Sequence, residues 1–227
     1  MYYNENVTVT GFQRARSASA KQQREDAILD AALSLATARG IRQVTLTDIA
    51  EAVGMHKSAL LRYFETREQI FLRLTAAGWR EWSPALRASI DALPEPRPLT
   101  IASAIAASLA SRPVFCDLLA QAPLNLERNV SLESVLAFKL VTLEEVADIS
   151  NTLRGALPAL TERDTVDIIA AATSLSGALF QMATPSPEIA ELYGSDPRLA
   201  HAVIDVEPRV ARMLAAMIDG FVSSARH

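Results

Sequence analysis

The stretch from Val44 to Phe64, VTLTDIAEAVGMHKSALLRYF, does most to restrict what this chain can fold into. Thr45 is followed three residues later by Asp48, the hydroxyl-to-acid spacing of a capping box that opens a helix. Ala50 stands four residues before Gly54, and a second short helical segment begins at Lys57. Two short helices that cross steeply must approach closely, which demands a small residue in the first, a glycine at the turn and apolar residues on the facing sides. Ala50, Gly54 and the set Ile49, Val53, Met55 and Leu60 meet those demands, so the pattern predicts a helix-turn-helix. Lys57, Ser58, Arg62 and Tyr63 then face outward from the second helix. Cations neutralise phosphates or donate to guanine edges, and hydroxyls donate to phosphate or base acceptors, so this face has the chemistry of DNA contact. His56 departs from the pattern, because the helix entry normally carries a small capping hydroxyl; an imidazole nitrogen accepts the same N–H in part.

The remainder of the 227 residues reads as helix as well. Ala and Leu outnumber Val, Ile and Thr, and aromatics make up only 6%, which favours helices over sheets. Residues 1–20 are polar, lack apolar periodicity and read as a flexible basic arm. A first helix over 22–39 ends at Gly40, the two motif helices follow, and Thr66 caps a fourth running towards Ile90. Pro84 is expected to end or kink that helix. Three prolines within Leu93–Pro98 mark a linker. Beyond it, the periodicity predicts helices over 99–112, 113–121, 131–157, 162–183 and 207–224, with an irregular connection between the last two. The expected fold is all-α with about nine helices: an arm (1–20), a helix-turn-helix domain (21–70) and a helical domain (71–227).

Charge is divided along the chain. The net charge is −4, yet residues 1–80 carry eleven Lys and Arg against eight Asp and Glu, while residues 81–227 carry eleven against eighteen. Arg14, Arg16, Lys21 and Arg24 follow one another with no acid between Asn6 and Arg24. A cationic end on an acidic body is expected to meet phosphate at that end alone. Three histidines, at 56, 201 and 227, lie far apart, and there is no Cys/His cluster, glycine-rich phosphate loop or nucleophile elbow, so neither a metal site, a catalytic residue nor a cofactor is expected. Cys116 has no disulfide partner and is read as a packed small residue, with redox sensing as the alternative. No apolar run approaching the roughly 20 residues of a membrane span is apparent and no signal segment opens the chain, so a cytoplasmic protein without membrane contact is expected.

A leading amphipathic helix ending in glycine, then VTLTDIAEAVGMHKSALLRYFETREQI, then a helical remainder resembles the TetR family of transcriptional regulators. The recognisable motifs span about residues 22–75. The resemblance implies that three N-terminal helices and the start of the fourth bind DNA, and that a variable C-terminal part binds a small apolar or cationic inducer and dimerises, most often in a repressor. Residue by residue, it implies a phosphate contact at Thr45, base reading at Lys57 and Ser58, a backbone contact at Tyr63, a core aromatic at Phe64, and a phosphate contact at Arg67, where a lysine is usual. Leu61 departs from a frequent tyrosine, and His56 from the usual Ser or Thr.

The helices over 162–183 and 207–224 carry more apolar surface than one domain face needs. Ile168, Ile169, Ala172, Leu175, Ala178, Leu179 and Met182 stand on the first, and Val210, Met213, Leu214, Met217, Ile218 and Phe221 on the second. Two such helices from each of two chains suit a four-helix homodimer interface. Trp79, Trp82, Phe115, Phe138, Phe180 and Met182 are candidates to line an effector cavity, and the scarcity of charge among the apolar helices favours an apolar or amphipathic small molecule. The expected function is a homodimeric, ligand-responsive repressor of a palindromic double-stranded DNA operator. The alternative is a helical regulator acting through a protein partner, with weak or vestigial DNA binding.

Overall fold

The computed structural model describes the backbone of residues 6–225, with side chains described from Ser19 onward. Among these residues ten α-helices and three short helical turns succeed one another without a strand. The N-terminal head comprises α1 (Asn6–Arg39), a 3-10 turn (Ile41–Gln43), α2 (Leu46–Ala52) and α3 (Lys57–Leu60). The body is built from α4 (Arg67–Asp91), α5 (Pro98–Ala110), α6 (Pro113–Gln121), a π turn (Ala122–Leu126), α7 (Leu132–Ala156), α8 (Glu162–Ala183), α9 (Pro187–Ser195), a second 3-10 turn (Pro197–Ala202) and α10 (Val206–Ser224).

Four expectations need correction. The helix α1 begins at Asn6, so residues 6–20 are helical rather than an irregular arm; no proline interrupts them. The side chains of Arg14 and Arg16 lie outside the described residues. Pro84 sits inside α4 without ending it. Its ring removes one helical hydrogen bond at a cost of about 3 kcal/mol, but Trp79, Trp82, Leu86 and Ile90 on either side are buried, and their packing holds both halves. The connection after α8 contains a tenth helix, α9, opened by Pro187 at its first position, where the missing N–H costs nothing; none of its side chains is buried. Finally, α8 is long and apolar enough to cross a membrane by length and composition alone. Here it packs into the body through Ile168, Ile169, Ala172 and Leu179.

One continuous apolar core joins head and body, from Ile28 and Ala32 of α1 to Leu214 and Ile218 of α10. Two glycines set the spacing of its helices. A Cβ on Gly78 of α4 would run into the ring of Phe115 on α6, and one on Gly177 of α8 would lie 3.1 Å from the backbone nitrogen of Ala120. Beside the first contact, Trp79, Trp82 and Phe115 form an aromatic cluster with ring centroids 5.3 to 5.9 Å apart. The Trp82 indole donates to Ser108 Oγ at 2.9 Å, which satisfies its one polar group inside the core.

Candidate DNA-reading head and effector cavities

The two motif helices are specified by local chemistry. Thr45 caps α2: its Oγ1 accepts from the Asp48 N–H at 3.2 Å, while the Asp48 carboxylate accepts from the Thr45 N–H and hydroxyl, both at 2.7 Å. Arg39 adds an ion pair to that carboxylate at 2.9 Å. The Thr45 hydroxyl first, then its N–H and Arg39, hold the Asp48 pKa at about 2. The helix ends in a Schellman arrangement, in which Met55 N–H reaches the Ala50 carbonyl at 2.8 Å and Gly54 N–H the Glu51 carbonyl at 3.0 Å. Gly54 adopts φ +64°, a left-handed conformation that a Cβ makes costly. Ile49, Ala50 and Leu60 are buried between the helices, with Val53 and Met55 half-buried beside them.

The second helix is a single α turn, Lys57–Leu60, continued by tighter turns at Arg62 and Tyr63. His56 occupies the cap position but its side chain makes no capping hydrogen bond; the partial substitution expected of the imidazole is absent. His56, Lys57, Ser58, Leu61 and Arg62 are exposed, Tyr63 is half-buried against the core, and Phe64 is buried. Among the described residues no ion pair engages Lys57 or Arg62.

Arg67 is placed differently. Its Nε and Nη2 donate to the carbonyls of Val44 and Ile41, its Nη1 pairs with Glu68 at 3.1 Å, and its guanidinium lies 4.7 Å from the Phe71 ring centre. It is a clamp on the turn that leads into α2, which redirects the phosphate-contact expectation at this position. The same turn is held from the other side. Asp117 of α6, only 8% exposed, accepts the Ile41 N–H at 3.0 Å on Oδ2 and the Gln181 amide of α8 at 2.8 Å on Oδ1. Segment Gly40–Val44 is therefore fixed by α4 and α6 together, and through Gln181 by α8. Sequence reading missed Asp117 and Gln181, because residues 76 and 140 positions beyond Ile41 carry no local signal.

Two cavities open near these junctions. One, of about 500 Å³, lies between α4 and the N-terminal half of α7 and includes Leu72, Arg73, Ala76, Arg80, Phe138 and Val141. The other, of about 760 Å³, lies at the head-to-body junction and includes Ile41, Arg42, Asp117, Phe180 and Gln181. Of the residues expected to line an effector cavity, Phe138 borders the first and Phe180 the second. Trp79, Trp82 and Phe115 border neither, because they fill the core, and Met182 is 56% exposed on the outer side of α8. Cys116 is buried, donating to the Leu109 carbonyl at 3.3 Å. Burial first, and Asp117 second, push its thiol up to about 12, so it is not a thiolate near neutral pH and redox sensing loses its chemical basis.

A helix-turn-helix with an exposed cationic face, carried on an all-α body with open cavities, defines a DNA-binding regulator. The comparisons with known proteins specify the family. The model of the N-terminal domain of bacterial regulatory proteins of the tetR family matches residues 28–74, and that of the tetracyclin repressor-like C-terminal domain matches residues 76–225. The chain belongs to the TetR family, whose members are DNA-binding regulators rather than enzymes. Among solved structures, the fatty acid degradation regulator FadR from Bacillus halodurans shares 16% identity at a TM-score of 0.51, over 84% of this chain and 94% of that one. A protein from Rhodococcus sp. assigned to the TetR family shares 18% at 0.50, over 88% and 99%. At these identities the likeness concerns the fold. Among curated proteins the sequence has no match.

Proposed function

We propose that this TetR-family regulator is a homodimeric, cytoplasmic repressor that grips a palindromic DNA operator and is released by a small molecule. The carrying observation is the α3 face, where exposed Lys57, Ser58 and Arg62 stand without ion-pair partners among the described residues, beside a firmly built turn. Lys57 and Ser58 read base edges, Arg62 and Tyr63 hold the backbone, and His56 lies at the rim of the same contact. Thr45 supports the contact by capping α2, since its hydroxyl is already given to Asp48, and Arg67 by positioning the turn. Lys21 and Arg24 of α1 add cations towards the phosphates, and Arg14 and Arg16 precede them on the same helix.

Dimerisation is supported by apolar surface left uncovered on the last helices. On α8, Val166, Ala170, Ala178 and Met182 are exposed, and on α10, Met213 is exposed with Met217 and Phe221 half-buried. A two-fold pairing of these faces sets the recognition helices about 34 Å apart, matching half-sites one helical turn from each other.

The test is selection of bound genomic fragments by the purified protein, followed by gel shift over a salt series. Binding to an inverted repeat with an affinity that falls steeply with salt is expected, and removal of residues 1–20 should lower that slope. Failure to bind any fragment in a salt-sensitive way would falsify the proposal and point to action through a protein partner instead.

A further inference from the structure

The cavity between α4 and α7 has a composition that selects a ligand. Its apolar floor is Leu72, Ala76, Phe138 and Val141, and Arg73 and Arg80 border it. Seven residues apart, the two arginines share one face of α4 about 10 Å from each other. Both are exposed, and among the described residues neither forms an ion pair. The space exists because small side chains meet there: Ala76 lies between the arginines on α4, and Ala137 borders the same cavity from α7. Its volume of about 500 Å³ falls within the usual range of small-molecule sites.

Two carboxylates also border the cavity. Glu65 is tied to the start of α7 by one oxygen: its Oε1 accepts from the Ser131 N–H at 2.9 Å, the Ser131 hydroxyl at 3.0 Å and the Ser134 hydroxyl at 2.8 Å. These donors, the Ser131 N–H foremost, hold its pKa below the usual carboxylate range. Glu133 is the second acid; among the described residues it forms no ion pair with either arginine.

We propose that this cavity is the effector site and that it takes an amphipathic monoanion, with a carboxylate or similar group held by Arg73 and Arg80 and an apolar body laid over Leu72, Phe138 and Val141. The proposal rests on the ligand-released reading above and names the ligand class. The same walls connect the site to the head. Gln69 donates to Ser134 at 2.9 Å, so Glu65, Gln69, Ser131 and Ser134 tie the turn between α3 and α4 to the start of α7. A body wedged between α4 and α7 pulls on that tie and on α4, whose first residue, Arg67, clamps the turn before α2.

The test is calorimetric titration of the full-length protein with decanoate, decanol and decyltrimethylammonium as matched probes. Decanoate is expected to bind once per chain, at least about ten-fold more tightly than decanol, with the cation weaker still. The variant Arg73→Gln/Arg80→Gln should bring decanoate down to the level of decanol and leave decanol unchanged. Ala137→Phe, made at an exposed position, should fill the cavity and abolish both, while Glu133→Gln should tighten decanoate. Circular dichroism of each variant controls for folding. Absence of decanoate binding, equal binding of decanoate and decanol, or unchanged decanoate binding in the double arginine variant overturns the proposal. A gel shift with the selected DNA separates the two readings. Decanoate that binds through Arg73 and Arg80 without weakening the DNA grip upholds the site and overturns release. Release by another small molecule, with no decanoate bound, does the reverse.

Discussion

The reading face of α3 and the turn that carries it are neighbours in the same head, yet their side chains are used in opposite ways. Lys57, Ser58 and Arg62 point outward and touch nothing that matters for folding. Thr45, Asp48, Arg39 and Arg67 are consumed by internal bonds. A cation within a DNA-binding motif is therefore not automatically a phosphate ligand, because the Arg67 guanidinium has committed three of its five N–H donors to two carbonyls and a carboxylate inside the head. The division separates contact from positioning, and substitutions on the two sides should fail in different ways.

The largest effect is expected from Arg67→Ala. Losing charged hydrogen bonds to two carbonyls should destabilise the protein by about 3 kcal/mol and weaken DNA binding with it. Arg67→Lys should restore only part, since an ammonium lacks the planar fork. Thermal melting decides the matter: an unchanged Tm with lost affinity would make Arg67 a phosphate contact and erase the distinction. Next, Lys57→Ala/Arg62→Ala should cost about 2 kcal/mol of DNA affinity and flatten the salt slope by up to about two, with stability altered by less than about 0.5 kcal/mol. Size-exclusion chromatography and melting would expose any fold defect.

Thr45→Ala comes third. Loss of the cap should cost about 1 kcal/mol of stability, with a smaller drop in affinity than the double variant. The same cap has a pH signature. The folded Asp48 pKa, about 2, lies below its ordinary 3.8, so its contribution is complete above the ordinary value and disappears as pH falls through about 2. Asp48→Asn should therefore flatten the dependence of stability on pH across that window, as followed by acid titration of the melt. The smallest effect is expected from His56→Ser, which supplies the capping hydroxyl that the imidazole does not replace and should stabilise the head by up to about 1 kcal/mol. A simultaneous shift in operator preference would place His56 in contact with DNA.

The head was largely legible in the sequence because its determinants are close together. A capping box spans three residues, Gly54 announces its own left-handed turn, and the Ile49, Ala50, Leu60 spacing fixes which sides meet. The helices α8 and α10 were equally readable, since Thr161 and Asp164 again form a capping box and the apolar period is long. What escaped was decided by distant partners. Pro84 suggested a break that the buried Trp79 and Trp82 before it and Leu86 and Ile90 after it override, and the same tryptophans, read as cavity walls, proved to be core once Gly78 admitted Phe115 against them. The missed helix α9 is short and has no buried side chain, so the apolar period had almost nothing to show.

The sequence alone determined the helical character, the reading turn, its exposed cations and the family, because helix caps, glycine conformation and side-chain period act over a few residues. Only the tertiary structure decided that Arg67 is a clamp, that Asp117 and Gln181 reach back to Ile41, and that Arg73 and Arg80 border an open cavity opposite α7. A hydrogen bond or a cavity between segments far apart in the chain depends on how helices pack, and packing is the cooperative outcome of the whole core rather than a property of any stretch within it.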